Sequence, residues 1–530
     1  MNIGIYFFFL ILILSKSSLE ILYNSGDNWA VLACGSTGYI NYRHQADIFH
    51  VYHTLLKNGF SKDHIILFAY DDIAYNEKNP FPGEIYNRPN GPNVYSGVNI
   101  DYSSYMVTPE NYLSVLKGDT KNNSLKKVLN STKDDNIFLY FSDHGINGAM
   151  VFPNNQFLYA DELEEAFTYM QKKGMYKNII YYMESCYSGS IFNEINKELN
   201  IYSITAASPK EQSYATYCFP DDYVKGREMH TCLSNEFTSN WLDDIENKNF
   251  DSLHLIKYSS REQFQLIKNK TKNSHVNEYG NLNVGELPIT LFQASNDSNN
   301  YEDEQEEIIE DKEKEKEKGN MDGFDYDEIM RRIKELEEEE ENYNEDEYDE
   351  IISNDINDNK YEYNFNEKIK YDNDFINYII SRNKQMKKQI EKPFKKNNLR
   401  LNSKKKTKKT LNNIPSKNVK LYYLEVETTK NPVKNKEFQK EMEETEKSKN
   451  LFQLLKYKLH ISEKKENQNN KIDFKCLRFS IDLFKEKCSI NERDLGFISS
   501  FSDICTKKDV CLDDIKNAII DVCKSREIKL

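Results

Sequence analysis

Two short motifs carry side chains suited to covalent chemistry: Ser142-Asp143-His144-Gly145 and Glu184-Ser185-Cys186-Tyr187-Ser188-Gly189. A thiol must become a thiolate before it attacks a carbonyl carbon, and an imidazole is its usual base. Gly145 has no side chain, so its N–H can approach a substrate carbonyl closely. Together with the N–H of Cys186 it would form an oxyanion hole. Taken alone, a histidine and a cysteine at this separation also fit a commoner situation, a buried structural cysteine.

Each motif follows an apolar run, Ile137–Phe141 before His144 and Ile179–Met183 before Cys186. Further strand-like runs are Trp29–Ala33, Ile65–Ala69 and Ile201–Ala206. Between them lie helical stripes at Asp47–Leu56, Asp161–Met170, Asn235–Asp244 and Leu253–Ile267, and a Pro/Gly/Asn-rich loop at Asn79–Gly97. Short buried strands alternating with helices predict an α/β layer on a mainly parallel sheet. Sites in open parallel sheets form outside the carboxyl ends of the strands, where both motifs fall.

The whole chain has 530 residues and a formal net charge of -15. Residues 1–19 hold an apolar run, Ile5–Leu14, followed by Ser15-Lys16-Ser17-Ser18, which reads as a signal peptide. Residues 20–294 read as one globular domain and 295–470 as a charged, low-complexity, mostly disordered linker. A helical module at 471–530 holds Cys476, Cys488, Cys505, Cys511 and Cys523. The basic block Lys404–Lys409 reads as solvated linker, so no nucleic-acid partner is expected. No stretch after the leader reaches the roughly 20 apolar residues of a membrane span. Asn-x-Ser/Thr acceptors at Asn122, Asn130, Asn269 and Asn296 suit a secretory route.

Several segments, in order, carry a family resemblance. Trp29–Gly35, Asn41-Tyr42-Arg43-His44-Gln45-Ala46-Asp47, Tyr70-Asp71-Asp72-Ile73-Ala74-Tyr75, Asn87-Arg88-Pro89-Asn90-Gly91 and the two motifs resemble the legumain family of asparaginyl endopeptidases, peptidase family C13. The resemblance implies a caspase-like α/β fold with His144 as general base, Cys186 as nucleophile and Asn41 orienting the histidine. Arg43, Glu184 and Ser213 would read a substrate Asn side chain, with Asp143 and Asn235 also in the substrate-binding set. A side-chain amide offers an acceptor oxygen and two N–H donors, so a selective pocket needs a buried donor and a buried acceptor. Arg43 and Glu184 supply that pair, although a structural ion pair between them is the alternative. Asn235 stands where the family has an acid. It keeps an acceptor and removes a negative charge, which lowers the expected penalty for cleavage after Asp.

The same resemblance implies disulfides Cys218–Cys232, Cys476–Cys505 and Cys488–Cys523, leaving Cys511 over. It implies a zymogen whose C-terminal module caps the site as an intramolecular inhibitor, released when acidification protonates carboxylates at the contact. Self-cleavage is expected near Asn296, Asn299, Asn300 or Asn320. The expected partners are peptides containing Asn, with no metal or cofactor, in a lysosome, a vacuole or outside the cell. Three alternatives remain at this level: the catalytic subunit of the GPI-anchor transamidase, which would sit in the ER lumen, an asparaginyl ligase, and a non-catalytic binding protein.

Overall fold

The structure, a computed structural model, describes residues 26–121, 127–248, 258–294, 413–459, 461, 471–507 and 510–527. The leader at 1–19, Asn122, the Asn296–Asn320 segment and the basic block lie outside them. Asn130 and Asn269 both face solvent.

A six-stranded sheet forms the centre. Its strands are β1 (Asn28–Cys34), β2 (Ile65–Phe68), β3 (Asn136–Ser142), β4 (Asn178–Glu184), β5 (Ile201–Thr205) and β6 (Asn277–Gly280), in the order β6-β5-β4-β3-β1-β2. Five are parallel, and β6 runs antiparallel to β5 at one edge. Every residue of β1 and β3 is buried, which is the pattern of strands covered on both faces.

Alternation along the strands divides two cores. Ala30, Leu32, Phe138, Tyr140, Ile180 and Tyr182 face one layer, which includes Phe49 and Tyr52 of helix α1 (Tyr42–Lys57). Val31, Ala33, Ile137, Leu139, Ile179 and Tyr181 face the other. There they meet Tyr112 of α2 (Pro109–Leu116) and Phe167 of α3 (Ala160–Lys173). The Glu162 carboxylate accepts from the Tyr159 N–H at 3.0 Å at the start of α3, and Gly174 ends it at φ 62, where a side chain would be strained. Helices α4 (Glu236–Glu246) and α5 (Ser260–Lys270) complete the domain.

Several boundaries differ from the sequence expectation: α5 begins at Ser260 rather than Leu253, with Tyr258 and Ser259 outside it and 253–257 outside the described residues. Helix α1 starts at Tyr42, not Asp47, because its first turn is packed inside the domain although it carries Arg43, His44 and Gln45. More consequentially, the stretch assigned to the linker contains α6 (Val419–Lys430) and α7 (Asn435–Lys458). Their composition is charged, but Val419, Tyr423, Leu424, Leu451, Phe452 and Leu455 are sequestered. Those sparse apolar positions bury themselves against the rest of the molecule, which composition alone does not reveal.

Helices α8 (Phe474–Cys488) and α9 (Leu512–Glu527) form the C-terminal module with α7. Disulfides join Cys476 to Cys505 and Cys488 to Cys523, and Cys218 to Cys232 in the first domain. Closing chain segments of 29 and 35 residues in the module contributes roughly 3–4 kcal/mol each by loop entropy. The core of the module is continuous with Ile146, Ala149, Val151 and Tyr159, on a small antiparallel sheet just after His144.

Candidate active site

Register brings the two motifs together. Ser142 on β3 pairs with Glu184 on β4, so His144 and Cys186 each lie two residues past a matched pair. Adjacent strands run ~4.8 Å apart, which sets the two loops side by side. A Cβ on Gly145 would meet the Cys186 carbonyl oxygen at 2.2 Å and Ser185 Oγ at 2.9 Å. Glycine alone permits that approach. Past Cys186 the chain turns sharply: Tyr187 has φ 56, a left-handed conformation that costs about 1–3 kcal/mol, before the helical turn Gly189–Phe192.

Asn41, just before α1, accepts at Oδ1 from His144 Nε2 at 2.9 Å. Its amide nitrogen donates to the Thr37 carbonyl at 3.0 Å, which fixes the amide with its oxygen toward the ring. Nε2 therefore carries the proton of the neutral imidazole, and Nδ1 is left as the basic nitrogen. The Cys186 thiol is buried, with Ser213 Oγ 3.8 Å from Sγ. Burial pushes the thiol up, opposed by Ser213 and the Arg43 charge. The resting side chain is thus a thiol and needs a base.

Arg43 is 0% exposed. Its Nε donates to Asn235 Oδ1 at 3.1 Å, Nη1 to the Ile40 carbonyl at 3.2 Å and Nη2 to the Ser416 carbonyl at 3.3 Å. Asn235 Nδ2 in turn donates to Asp47 Oδ2 at 2.7 Å. Glu184 closes β4, and its Oε2 accepts from the Thr238 N–H and hydroxyl, both at 3.0 Å. Its Oε1 is buried without a hydrogen bond, and burial pushes the carboxyl up to about 8. Among the described residues Arg43 and Glu184 make no ion pair, so the structural-pair alternative does not hold.

Asp143 is placed differently from Arg43 and Glu184. Its carboxylate lies against Gly35 and His44, whose Nδ1 is 3.4 Å away, and burial pushes it up to about 7. His44, Asp143 and His144 bring three potential metal-ligand atoms within 4.8 Å of one another. His44 Nδ1 is already held by Ser36 Oγ at 2.8 Å and His144 Nε2 by Asn41, while both oxygens of Asp143 are buried without a hydrogen bond. Asp47, the last residue of the Asn41–Asp47 segment, lies behind Asn235, a placement that no local sequence pattern marks.

Comparison with known proteins fits this geometry. The model of the peptidase C13 family matches residues 28–295, about half of the chain. The chain belongs to the peptidase C13 family. Mouse legumain is 42% identical over 274 residues, 51% of this chain and 60% of its own. Legumain from Canavalia ensiformis is 41% identical over 277 residues, covering 57% of its length. Hemoglobinase from Schistosoma japonicum is 41% identical over 268 residues, covering 60%. The chain thus spans about 60% of the length of the curated relatives it matches. A solved caspase-1 from Spodoptera frugiperda aligns with 49% of this chain at TM-score 0.29 and 8% identity, too weak to carry an argument.

In this C13 chain the site is covered by later residues. Ile414–Pro415 adds antiparallel to the strand Tyr214–Thr216, and the Ser416 N–H donates to the Ser213 carbonyl at 3.0 Å. Ser416 then turns its own carbonyl to Arg43. From the C-terminal module, Glu492 Oε1 sits 3.0 Å from His144 Nε2, while Oε2 accepts from Asn41 Nδ2 at 3.2 Å. Outer contacts include Arg478 on both oxygens of Asp161, at 2.8 and 2.6 Å, and the Tyr423 hydroxyl on Asp222 at 3.0 Å. Neither Ser416 nor Glu492 carries a sequence signal for this role; each meets its partner across more than 200 residues.

Proposed function

We propose that this chain is a cysteine endopeptidase that cleaves after Asn, made as a zymogen. The observation that supports it most is the register that sets the His144 and Cys186 loops side by side, together with a buried guanidinium and an unpartnered buried carboxyl oxygen. The imidazole takes the Cys186 proton, and sulfur adds to the scissile carbonyl carbon. The resulting oxyanion is met by the N–H groups of Gly145 and Cys186. Collapse expels the amine, which takes the proton from His144 and leaves a thioester. Water, deprotonated by His144, then hydrolyses the thioester and restores the thiol. Arg43 donates to the substrate amide oxygen, and Glu184 accepts from its nitrogen. No described helix is long and apolar enough to cross a membrane. The relatives' names, among them vacuolar-processing enzyme from Phaseolus vulgaris, support a lysosomal or vacuolar setting. Digestion of a denatured protein mixture by the processed enzyme, with the new termini sequenced, should place Asn before most cuts. Cuts scattered without preference for side-chain amides would sink this reading.

Glu492 and Ser416 are proposed as the zymogen's cover. The Glu492 carboxylate is held at about 2: burial pushes it up, but the hydrogen bond from His144, its charge, Asn41 and Arg43 outweigh that. A carboxylate held below its ordinary value contributes fully to docking above that value and loses the contribution progressively as pH falls from there through about 2. At Asp222 burial lifts the carboxyl to about 6, while the hydrogen bond that Tyr423 of the cover donates works the other way and favours the ionised form. Glu492 gives release by mild acid no support, and cutting the connecting chain is the better trigger. Glu492→Gln removes a charge-assisted hydrogen bond from a side chain 44% exposed. Labelling of Cys186 in uncut protein by a thiol-reactive probe should then be about tenfold faster at pH 5 and 7 alike. An unchanged rate would show that Glu492 does not hold the cover.

A further inference from the structure

We infer that the peptidase domain carries a second recognition site, at Tyr159 and Asp161, for an arginine of a protein substrate lying about three to five residues after the cleaved bond. This rests on the reading that the chain is an endopeptidase whose C-terminal module leaves on activation.

The site is built around a guanidinium. Arg478 of α8 donates to both oxygens of Asp161, at 2.8 and 2.6 Å, lies 5.1 Å from the centroid of the Tyr159 ring and comes within 3.9 Å of Glu162. Each contact suits a planar cation: a carboxylate takes two parallel N–H bonds, and an aromatic face attracts positive charge. Asp161 stands in the first turn of α3, where backbone N–H groups favour a negative charge. The ring and both acids belong to the peptidase domain, and only the arginine belongs to the module. When the module leaves, the receptor stays behind and loses the cation described for it.

The module fills this site imperfectly. The Tyr159 hydroxyl is buried without a hydrogen bond and feels the charges of Asp482 on α8, Glu162, Arg478 and Asp161. Sealing a hydroxyl without a partner is costly. An extended peptide, with backbone carbonyls and water beside it, does not impose that cost.

Strand order puts the site on the path of a substrate. Cys186 follows β4, with the Gly145 loop after β3 on one side and the Ser213 segment after β5 on the other. The covering chain lies along Tyr214–Thr216 and reaches Ser213 at Ser416. A substrate laid in that direction passes Cys186 and leaves over Gly145. There the small antiparallel sheet begins: Ile146 pairs with Ala149, and Ala149 with Tyr159. Two strand spacings, about 10 Å, separate Ile146 from Tyr159. An extended chain advances about 3.3 Å per residue, so its third to fifth residue past the cleaved bond comes level with Asp161.

The test compares Asn peptides that are identical except for Arg, Ala or Glu at each of these positions, cleaved at low ionic strength by the processed enzyme from the full chain. At one position or more, Arg should raise kcat/KM over Ala by about five- to tenfold, and Glu should lower it. In Asp161→Asn the gain from Arg should shrink to less than about twofold. Equal rates for Arg and Ala at every position in wild type would overturn the inference. So would a gain from Arg that survives in a folded Asp161→Asn protein, and if that variant does not fold the wild-type comparison decides. Failure to cleave any of the Asn peptides would instead count against the endopeptidase reading.

Discussion

Cys186→Ala is expected to leave less than about one part in ten thousand of the hydrolytic rate, and to leave the precursor uncut under conditions that process the wild type. The side chain removed is the atom that would bond to substrate, and neither water nor another described thiol can take its place. Cys34 is buried at the end of β1, and Cys511 is exposed beside Asp514 in the C-terminal module. The substitution removes one sulfur from a site framed by backbone contacts, Gly145 against Cys186 and Tyr187 N–H on the Glu211 carbonyl at 2.7 Å. The fold should therefore survive, and the melting temperature, measured alongside, should stay within a few degrees. A pure Cys186→Ala protein that still lost its C-terminal module would show that this bond is cut in another way.

Arg43→Ala is expected to lower kcat/KM on Asn peptides by roughly a thousandfold or more. Sites built to hydrogen-bond a side chain discriminate by such factors, because their buried groups are otherwise left unpaired. Here the loss is compounded, since Asn235 Oδ1 loses its donor and a 0% exposed volume is emptied. Arg43→Lys should recover little. One ammonium cannot reach the three separate directions, toward Asn235, Ile40 and Ser416, that the guanidinium spans. Alkylation of Cys186 by a small electrophile uses no side-chain pocket and should fall by less than about tenfold. Equal losses in both measurements would mean that Arg43 acts through the fold rather than through the substrate.

What could be read from residues and what could not divides along physical lines. The sheet was legible because its strands are buried on both faces and read as unbroken apolar runs such as Ile137–Phe141. The placement of His144 and Cys186 followed from strand ends in a parallel sheet. Arg43, Glu184 and Ser213 were visible through resemblance alone, since nothing in their local spacing marks them. The hydrogen bond from Arg43 to Asn235 spans 192 residues. No local pattern announces it, or the sequestering of Asp47 behind it. Helices α6 and α7 were missed for a different reason. Their sequences are charged enough to look solvated, and their few apolar side chains matter only once docked.

The shared core beside His144 sets a lifetime as well as a shape. Ile146, Ala149, Val151 and Tyr159 are 0–5% exposed and share one core with side chains of the C-terminal module. Any cut that frees the module returns these side chains to water, at about 1.5–3 kcal/mol for each large one. The net stability of a domain is about 5–15 kcal/mol, so the uncovered molecule would begin its work already closer to unfolding. Uncovering would start a clock: the same event that opens the site shortens the time for which it stays folded.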